Sequence, residues 1–288
     1  MDVTPLAVAL RCELRHTGPM LRLRRMLILI LATFGSLYLV LCVVVFALQR
    51  SLLYPAPKGT PPLAESDGFS RLPLEGGLYV DLFHLPAPPG APTVVHFHGN
   101  GEEVLTQMGL GSLMQARGLG FLTVEYPGYG ASPGHPTEEG IYAAAEAALA
   151  WLRAKGVSAE QTVLSGRSLG TGVAVEMARR GHGSRVMLVS PYTSIPDIGA
   201  TAFPFLPVRL LARDRYDTAS KAAAVKLPVL IIHGEEDTLI PVDMGRRLGT
   251  LFPQAVVETV AGAGHNDVLE DPGKVYRHRM ASFALGEP

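Results

Sequence analysis

Two Gly-x-Ser-x-Gly strings stand in this sequence: Gly166-Arg167-Ser168-Leu169-Gly170 and Gly130-Ala131-Ser132-Pro133-Gly134. In a chain of this glycine content chance supplies about 0.2 such strings, so their surroundings must separate the two. Ser168 follows TVLSG, a strand-like run, and precedes LGTGVAVEMARR, a helix-like run that stops at Gly181. Strand, sharp turn and helix together hold a serine hydroxyl out as a nucleophile, and the turn is tight enough to demand small neighbours. Ser132 lies in YPGYGASPGHP, with no helix directly after it, and reads as a loop serine.

A serine hydroxyl is a weak nucleophile and needs a base, which in turn needs an orienting acid. Downstream of Ser168 stand His182, His233, His265 and His278. His265 lies in VAGAGHNDV, a Gly-rich loop, and loops carry catalytic groups more often than core strands do. His233 ends the apolar run PVLIIH and reads as a packed strand-end histidine, while His182 and His278 read as surface residues. HGEEDTLIPV offers Glu235, Glu236 and Asp237; Asp237 precedes a turn and Pro241 and is favoured, with Asp197 as the outside candidate.

A tetrahedral intermediate also needs preorganised N–H donors. Leu169, directly after the nucleophile, supplies one. The loop His98-Gly99-Asn100-Gly101 supplies the second, placed at Asn100 with Gly101 close behind. His96 and His98 share a strand face by spacing, but no carboxylate or third ligand accompanies them, so neither a metal nor another cofactor is expected.

The elements that must hold these groups alternate. Strand-like runs occur at Leu78–His84, Thr93–His98, Phe121–Tyr126, Thr162–Ser165, Arg185–Ser190, Pro228–His233 and Val256–Val260. Several are continuously apolar, as strands buried on both faces of a parallel sheet are. Helix-like runs fall at Thr137–Lys155, Pro241–Phe252 and Gly273–Leu285. Such alternation predicts an α/β domain with a mostly parallel central sheet and helices on both faces.

From Met26 to Leu48 the chain runs 23 residues without a charge, long enough to span the roughly 30 Å of bilayer hydrocarbon. Arg11, Arg15, Arg22, Arg24 and Arg25 precede this run and only Arg50 closely follows it. That bias predicts a single-pass anchor with its N-terminus in the cytoplasm and the domain on the far side. A cleaved signal peptide has a shorter apolar region and a small-residue cleavage site, which Phe46-Ala47-Leu48-Gln49 does not provide. Leu41 likewise stands where a lipoprotein site at Cys42 would want a small residue. A start at Met20 would give the compact basic segment MLRLRR. The expected organisation is a basic tail over 1–25, a membrane helix over 26–48, a Pro/Gly-rich spacer over 49–77 and one domain over 78–288.

The anchor accounts for much of the mean hydropathy of +0.23. Setting aside the first 48 residues, with five Arg, Asp2 and Glu13, leaves 20 basic and 24 acidic groups. That balance excludes an electrostatic nucleic-acid binder, and the apolar content excludes disorder. Two cysteines exclude a disulfide framework.

Over about residues 78–286 the sequence resembles the α/β-hydrolase superfamily, and within it the α/β-hydrolase domain-containing proteins 13 and 17 and the Bem46-type proteins. The strings that carry the likeness are HFHGNGE, EYPGYGASPG, SGRSLGTGVA, SPYTS, RYDTASKAAAVKLPVLIIHGEEDTLIPV and GAGHND, in that order. The resemblance implies an α/β-hydrolase fold, with Ser168 as nucleophile, Asp237 as acid and His265 as base, and makes EYPGYG a family loop. Some members are single-pass membrane proteins that remove fatty acyl groups from protein thioesters. The N-terminal cysteine cluster of the number 17 group is missing here, so that activity is not carried over. An Arg-to-Lys ratio of 20 to 5 suits a high-GC bacterium, in which the far side is the periplasm.

The expected activity is cleavage of an ester or thioester of a small or lipid-like acyl substrate. Phe203, Phe205 and Leu206, in an apolar stretch from Ala202 to Leu211, are the candidate acyl contacts; plain packing on the core is the competing reading. Amide or peptide cleavage by the same triad, and a non-catalytic membrane-tethered binding module, are the alternative functions.

Overall fold

The computed structural model describes residues 19–57, 60, 63, 68–270 and 275–287. It divides into two compact units, Met1–Leu48 and Gln49–Pro288. The described part of the first unit is helical and belongs to α1 (Pro19–Leu53), a 35-residue helix about 50 Å long. Its most apolar window has a mean hydropathy of 2.7, which makes it long and apolar enough to cross a bilayer. Most of the basic tail expected over 1–25, through residue 18, lies outside the described residues.

The second unit is built on one eight-stranded sheet. Its strands are β1 (Phe69–Pro73), β2 (Tyr79–Leu85), β3 (Thr93–Phe97), β4 (Gly120–Val124), β5 (Thr162–Arg167), β6 (Arg185–Val189), β7 (Val229–Gly234) and β8 (Ala255–Val260). They lie in the order β1-β2-β4-β3-β5-β6-β7-β8. β2 runs antiparallel to both neighbours, and every other pairing is parallel.

Alternation along the strands sorts the core into two layers. Val95, Leu164, Leu188 and Ile231 enter one cluster, and their neighbours Val94, Val163, Met187 and Leu230 enter the other. The first layer is covered by α3 (Glu138–Ala154), α4 (Leu169–Arg179), α7 (Thr218–Ala222) and α8 (Val242–Leu251). The second is covered by α2 (Met108–Ala116) and α9 (Val275–Leu285). Each buried aliphatic side chain contributes about 1.5–3 kcal/mol, and burial on both faces explains the unbroken apolar runs. Short helices α5 (Ile195–Ala202) and α6 (Val208–Leu211) follow β6.

The short helices α5, α6 and α7, and also α2 and β1, are absent from the expected pattern. α2 was hidden by Gly109 and Gly111, poor helix formers; Gly111 is needed because a Cβ there would meet the Phe121 ring at 2.8 Å. β1 is short and ends in proline, as an edge strand can.

The described parts of the stretch 49–77 differ from the expected spacer; residues 58, 59, 61, 62 and 64–67 of it lie outside the described residues. α1 continues through Leu53, Tyr54 is buried, and β1 pairs along β2 from Phe69↔Phe83 to Pro73↔Tyr79. Specific partners fix the first of these residues to the domain. Arg50 pairs with Asp214 at 2.9 Å, and the Tyr54 and Tyr216 hydroxyls lie 3.1 Å apart. The domain therefore begins well before residue 78.

Candidate active site

Ser168 sits between β5 and α4 with φ 48° and ψ −117°, in the left-handed region that a residue with a Cβ adopts only under constraint. The turn around it is too tight for side chains. A Cβ on Gly166 would run into the Gly170 carbonyl, and one on Gly170 into the Phe97 carbonyl of β3. The Ser168 N–H donates to Val189 O at 2.9 Å, and the Ser168 carbonyl accepts from Thr171 Oγ1 at 2.6 Å. These bonds hold the strained backbone in place.

The loops after β7 and β8 leave the same edge of the sheet and bring the other two groups to Ser168. His265 Nε2 lies 3.0 Å from Ser168 Oγ, and His265 Nδ1 lies 2.7 Å from Asp237 Oδ2. The second oxygen of Asp237 accepts from Leu239 N at 3.0 Å and Ile240 N at 2.7 Å. Burial alone would raise the Asp237 pKa, but donors from His233, His265 and the Ile240 N–H outweigh it and hold the carboxyl well below the usual carboxylate range. Asp237 is therefore an acceptor, and with Nδ1–H directed at it, His265 Nε2 is left facing the Ser168 hydroxyl.

Leu169 and Asn100 are also brought to this edge. The Leu169 N–H opens α4, where no preceding turn offers it a carbonyl. Asn100 is clamped through its side chain: Nδ2 donates to the Leu53 carbonyl and Oδ1 accepts from the Tyr129 hydroxyl. Gly99 packs against the elbow, for a Cβ on it would stand 3.6 Å from Arg167 O.

Other candidates are engaged elsewhere. Asp197 pairs with Arg209 and accepts from Thr193, Glu235 accepts from Thr259, and His182 pairs with Glu146. Ser132 Oγ accepts from the Asp81 N–H, a loop-holding bond. His96 is fully buried against Ser165 Oγ at 2.9 Å, and burial, helped by His98 and Arg167, pushes its pKa down to about 3. His98 is turned to Gly99 O and Glu125. Phe203 and Phe205, in the segment that leaves β6, are 51% and 63% exposed and Leu206 is half-buried, so the two rings stand clear of the core.

Sequence reasoning missed the supports of the site. Glu102 stands within HFHGNGE but carried no role. Leu53 and Tyr129 hold Asn100 from distant parts of the chain, which no local spacing encodes, and His233 touches Asp237 four residues on although it carried no role.

A family profile described as alpha/beta hydrolase fold matches residues 194–272. The human alpha/beta hydrolase domain-containing protein 17B is 35% identical over 219 residues, covering 74% of this chain and 73% of that protein. The chain belongs to the α/β-hydrolase family. This α/β-hydrolase is also 33% identical over 252 residues to an uncharacterized protein of Mycobacterium tuberculosis, covering 83% of this chain and 88% of the relative. Among solved structures, Est1E from Butyrivibrio proteoclasticus with ferulic acid bound superposes with a TM-score of 0.64 at 16% identity, over 76% of this chain and 98% of that one. The Pyrococcus furiosus esterase Pf2001 gives 0.64 at 16% identity, over 79% and 97%. At these identities the likeness establishes the fold alone.

Proposed function

We propose that the chain is a membrane-anchored serine hydrolase that cleaves a carboxylic ester or thioester through an acyl-enzyme. The observation that carries this reading is the continuous hydrogen-bonded series Ser168 Oγ, His265 and Asp237, at 3.0 and 2.7 Å, on a strained strand–helix turn. His265 Nε2 takes the hydroxyl proton as Ser168 Oγ attacks the acyl carbonyl. The Leu169 and Asn100 N–H groups receive the developing oxyanion. His265 then gives its proton to the departing alcohol or thiol. Water attacks the acyl-enzyme with His265 again as base, and Asp237 orients and stabilises the charged imidazole throughout.

The exposed apolar rings of Phe203 and Phe205, with Leu206, favour an apolar acyl group. An anchor formed by the apolar length of α1 would keep the enzyme beside lipid-derived esters, with its domain on the side away from the Arg-rich tail. A fluorophosphonate probe should label the wild type and not Ser168→Ala, and turnover of p-nitrophenyl esters should fall roughly 10⁴–10⁶-fold in that variant. Equal labelling of both proteins overturns the triad. On a chain-length panel, preference for acetate over medium chains overturns the apolar acyl substrate.

A further inference from the structure

We infer that Arg167, the residue directly before the nucleophile, is a positioning residue that sets both the base loop and the oxyanion loop against Ser168. The inference rests on the triad reading above. Arg167 is the last residue of β5, and its backbone is fixed in register opposite Val189. Its guanidinium reaches two ways. Nη2 donates to the His265 carbonyl at 3.2 Å and to Asn266 Oδ1 at 3.3 Å. Nη1 pairs with the Glu102 carboxylate.

Glu102 carries the connection onward. Its Oε2 accepts the Gly99 N–H at 2.6 Å and Gln107 Nε2 at 3.3 Å. Gly99 adjoins Asn100, so one ion pair joins the backbone that carries the base to the backbone that carries the oxyanion donor. Both ends of the pair terminate on main-chain atoms of reacting loops. By contrast, Arg117 and Glu287 form a surface pair between two side chains, with Glu287 about half exposed. Arg167 and Glu102 are mostly buried, at 17% and 19% side-chain exposure.

A planar guanidinium suits this task because its fork serves a carboxylate and a carbonyl together in fixed directions. A lysine would keep the charge beside Glu102 but could not direct a second arm to His265 and Asn266. In the base loop, VAGAGHN, Val260 and Ala263 are buried in the core, and the bonds from Arg167 act beyond them, on His265 and Asn266. Small misplacements of a catalytic group cost about 10²-fold in rate. Arg167 thus measures both loops from the nucleophile's own backbone.

The test uses the full chain in detergent micelles as wild type, Ser168→Ala, Arg167→Lys, Arg167→Gln, Glu102→Gln, the Arg167→Gln/Glu102→Gln double variant and Glu287→Gln. Fluorophosphonate labelling rates, kcat and KM for p-nitrophenyl butyrate, Tm, and hydrogen exchange in segments 98–107 and 261–270 are read for each. Arg167→Gln should lower kcat and the labelling rate about 10- to 100-fold with KM changed less than about 3-fold. The double variant should be no slower than about 3-fold below Arg167→Gln, since both changes cut one connection. Exchange should rise in both segments in Arg167→Gln but only in 261–270 in Arg167→Lys. Glu287→Gln should match the wild type. A wild-type labelling rate in Arg167→Gln, a rate loss that tracks its unfolded fraction, or exchange gained in neither or only one segment overturns the proposal. Should Ser168→Ala label like the wild type, the triad reading falls by itself, and the exchange arm still decides whether Arg167 holds the two loops.

Discussion

His233 Nε2 lies 3.3 Å from Asp237 Oδ2, the same oxygen that receives His265 Nδ1 at 2.7 Å. His233 is fully buried, and its Nε2 also lies 2.8 Å from the Ile240 carbonyl. Both partners are acceptors, so Nε2 carries the proton. Nδ1 has no partner among the described residues, and Gly245 packs so closely that a Cβ there would meet it at 2.5 Å. His233 therefore serves as a second donor that fixes which way the Asp237 carboxylate faces.

A glutamine in its place presents an amide nitrogen at nearly the reach of Nε2. His233→Gln should keep kcat within about 3-fold, whereas His233→Ala should lose about 10-fold through a misdirected Asp237. Asp237→Asn should lose far more, on the order of 10⁴-fold, because an amide has one acceptor oxygen and sets an NH2 donor where the second accepted, which misorients His265. Esterase kinetics per labelled site decide this; equal activity of the Gln and Ala variants would reduce His233 to packing.

The left-handed backbone at Ser168 stores strain of about 1–3 kcal/mol. Glycine accepts φ 48° freely, at an unfolded-state entropy cost of about 0.4–1 kcal/mol, while alanine retains the strain. Both variants lose the nucleophile. Ser168→Gly should melt above Ser168→Ala by a few degrees, and thermal unfolding of the two side by side checks it. An Ala variant as stable as the Gly variant would mean that the turn is not strained.

Much of this arrangement was legible in the sequence, and the reason differs by residue. Ser168 announced itself because an elbow needs glycines at fixed spacing. Thr137 did so because an N-cap acts locally: its Oγ1 accepts the Gly140 N–H at 2.9 Å. Arg167 with His265 and Asn100 with Leu53 were not legible, because these partners stand far apart in the chain. Only the described fold brings them together. The approach segment read as a spacer because prolines and a glycine follow Tyr54, yet burial and one hydroxyl contact tie that residue into the core.

Glu176, on α4 behind the nucleophile, offers a stability test that leaves the triad alone. Its side chain is 4% exposed and meets Arg179 at 2.6 Å, Arg180 at 2.8 Å and Lys221 at 2.9 Å. Burial would raise its pKa, but hydrogen bonds from Arg179, Lys221 and Arg180 outweigh it and bring it down to about 2 from 4.5. A lowered folded-state pKa means the stabilisation is complete above the unfolded value near 4.5 and is lost as pH falls toward about 2. Glu176→Gln should cost roughly 2–3 kcal/mol at neutral pH. Urea unfolding across pH should show the gap to wild type closing between pH 4.5 and 2; a constant gap would sink this account.

The first residues of the domain predict where a soluble version of the enzyme can start. Gln49 Nε2 donates to Leu211 O at 3.1 Å, Gln49 Oε1 accepts from Arg213 N at 2.8 Å, and Arg50 pairs with Asp214. The Leu53 carbonyl accepts from Asn100 Nδ2, and Tyr54 meets Tyr216. A chain beginning at Gln49 keeps all of these and drops the basic tail and the apolar length of α1. It should leave the membrane fraction and match the detergent-solubilised full chain in Tm and in kcat on a soluble ester. Beginning at Pro57 removes every one of them. Loss of the buried Tyr54 and the Arg50–Asp214 pair should cost about 3 kcal/mol, or roughly 6–12 °C in a domain of this size. Loss of the Leu53 carbonyl should loosen Asn100 and lower kcat about 10-fold beyond any unfolding. Equal kcat per labelled site in the two truncations would show that the approach segment does not support the oxyanion loop. A Gln49 start that stayed with the membrane would remove α1 as the anchor.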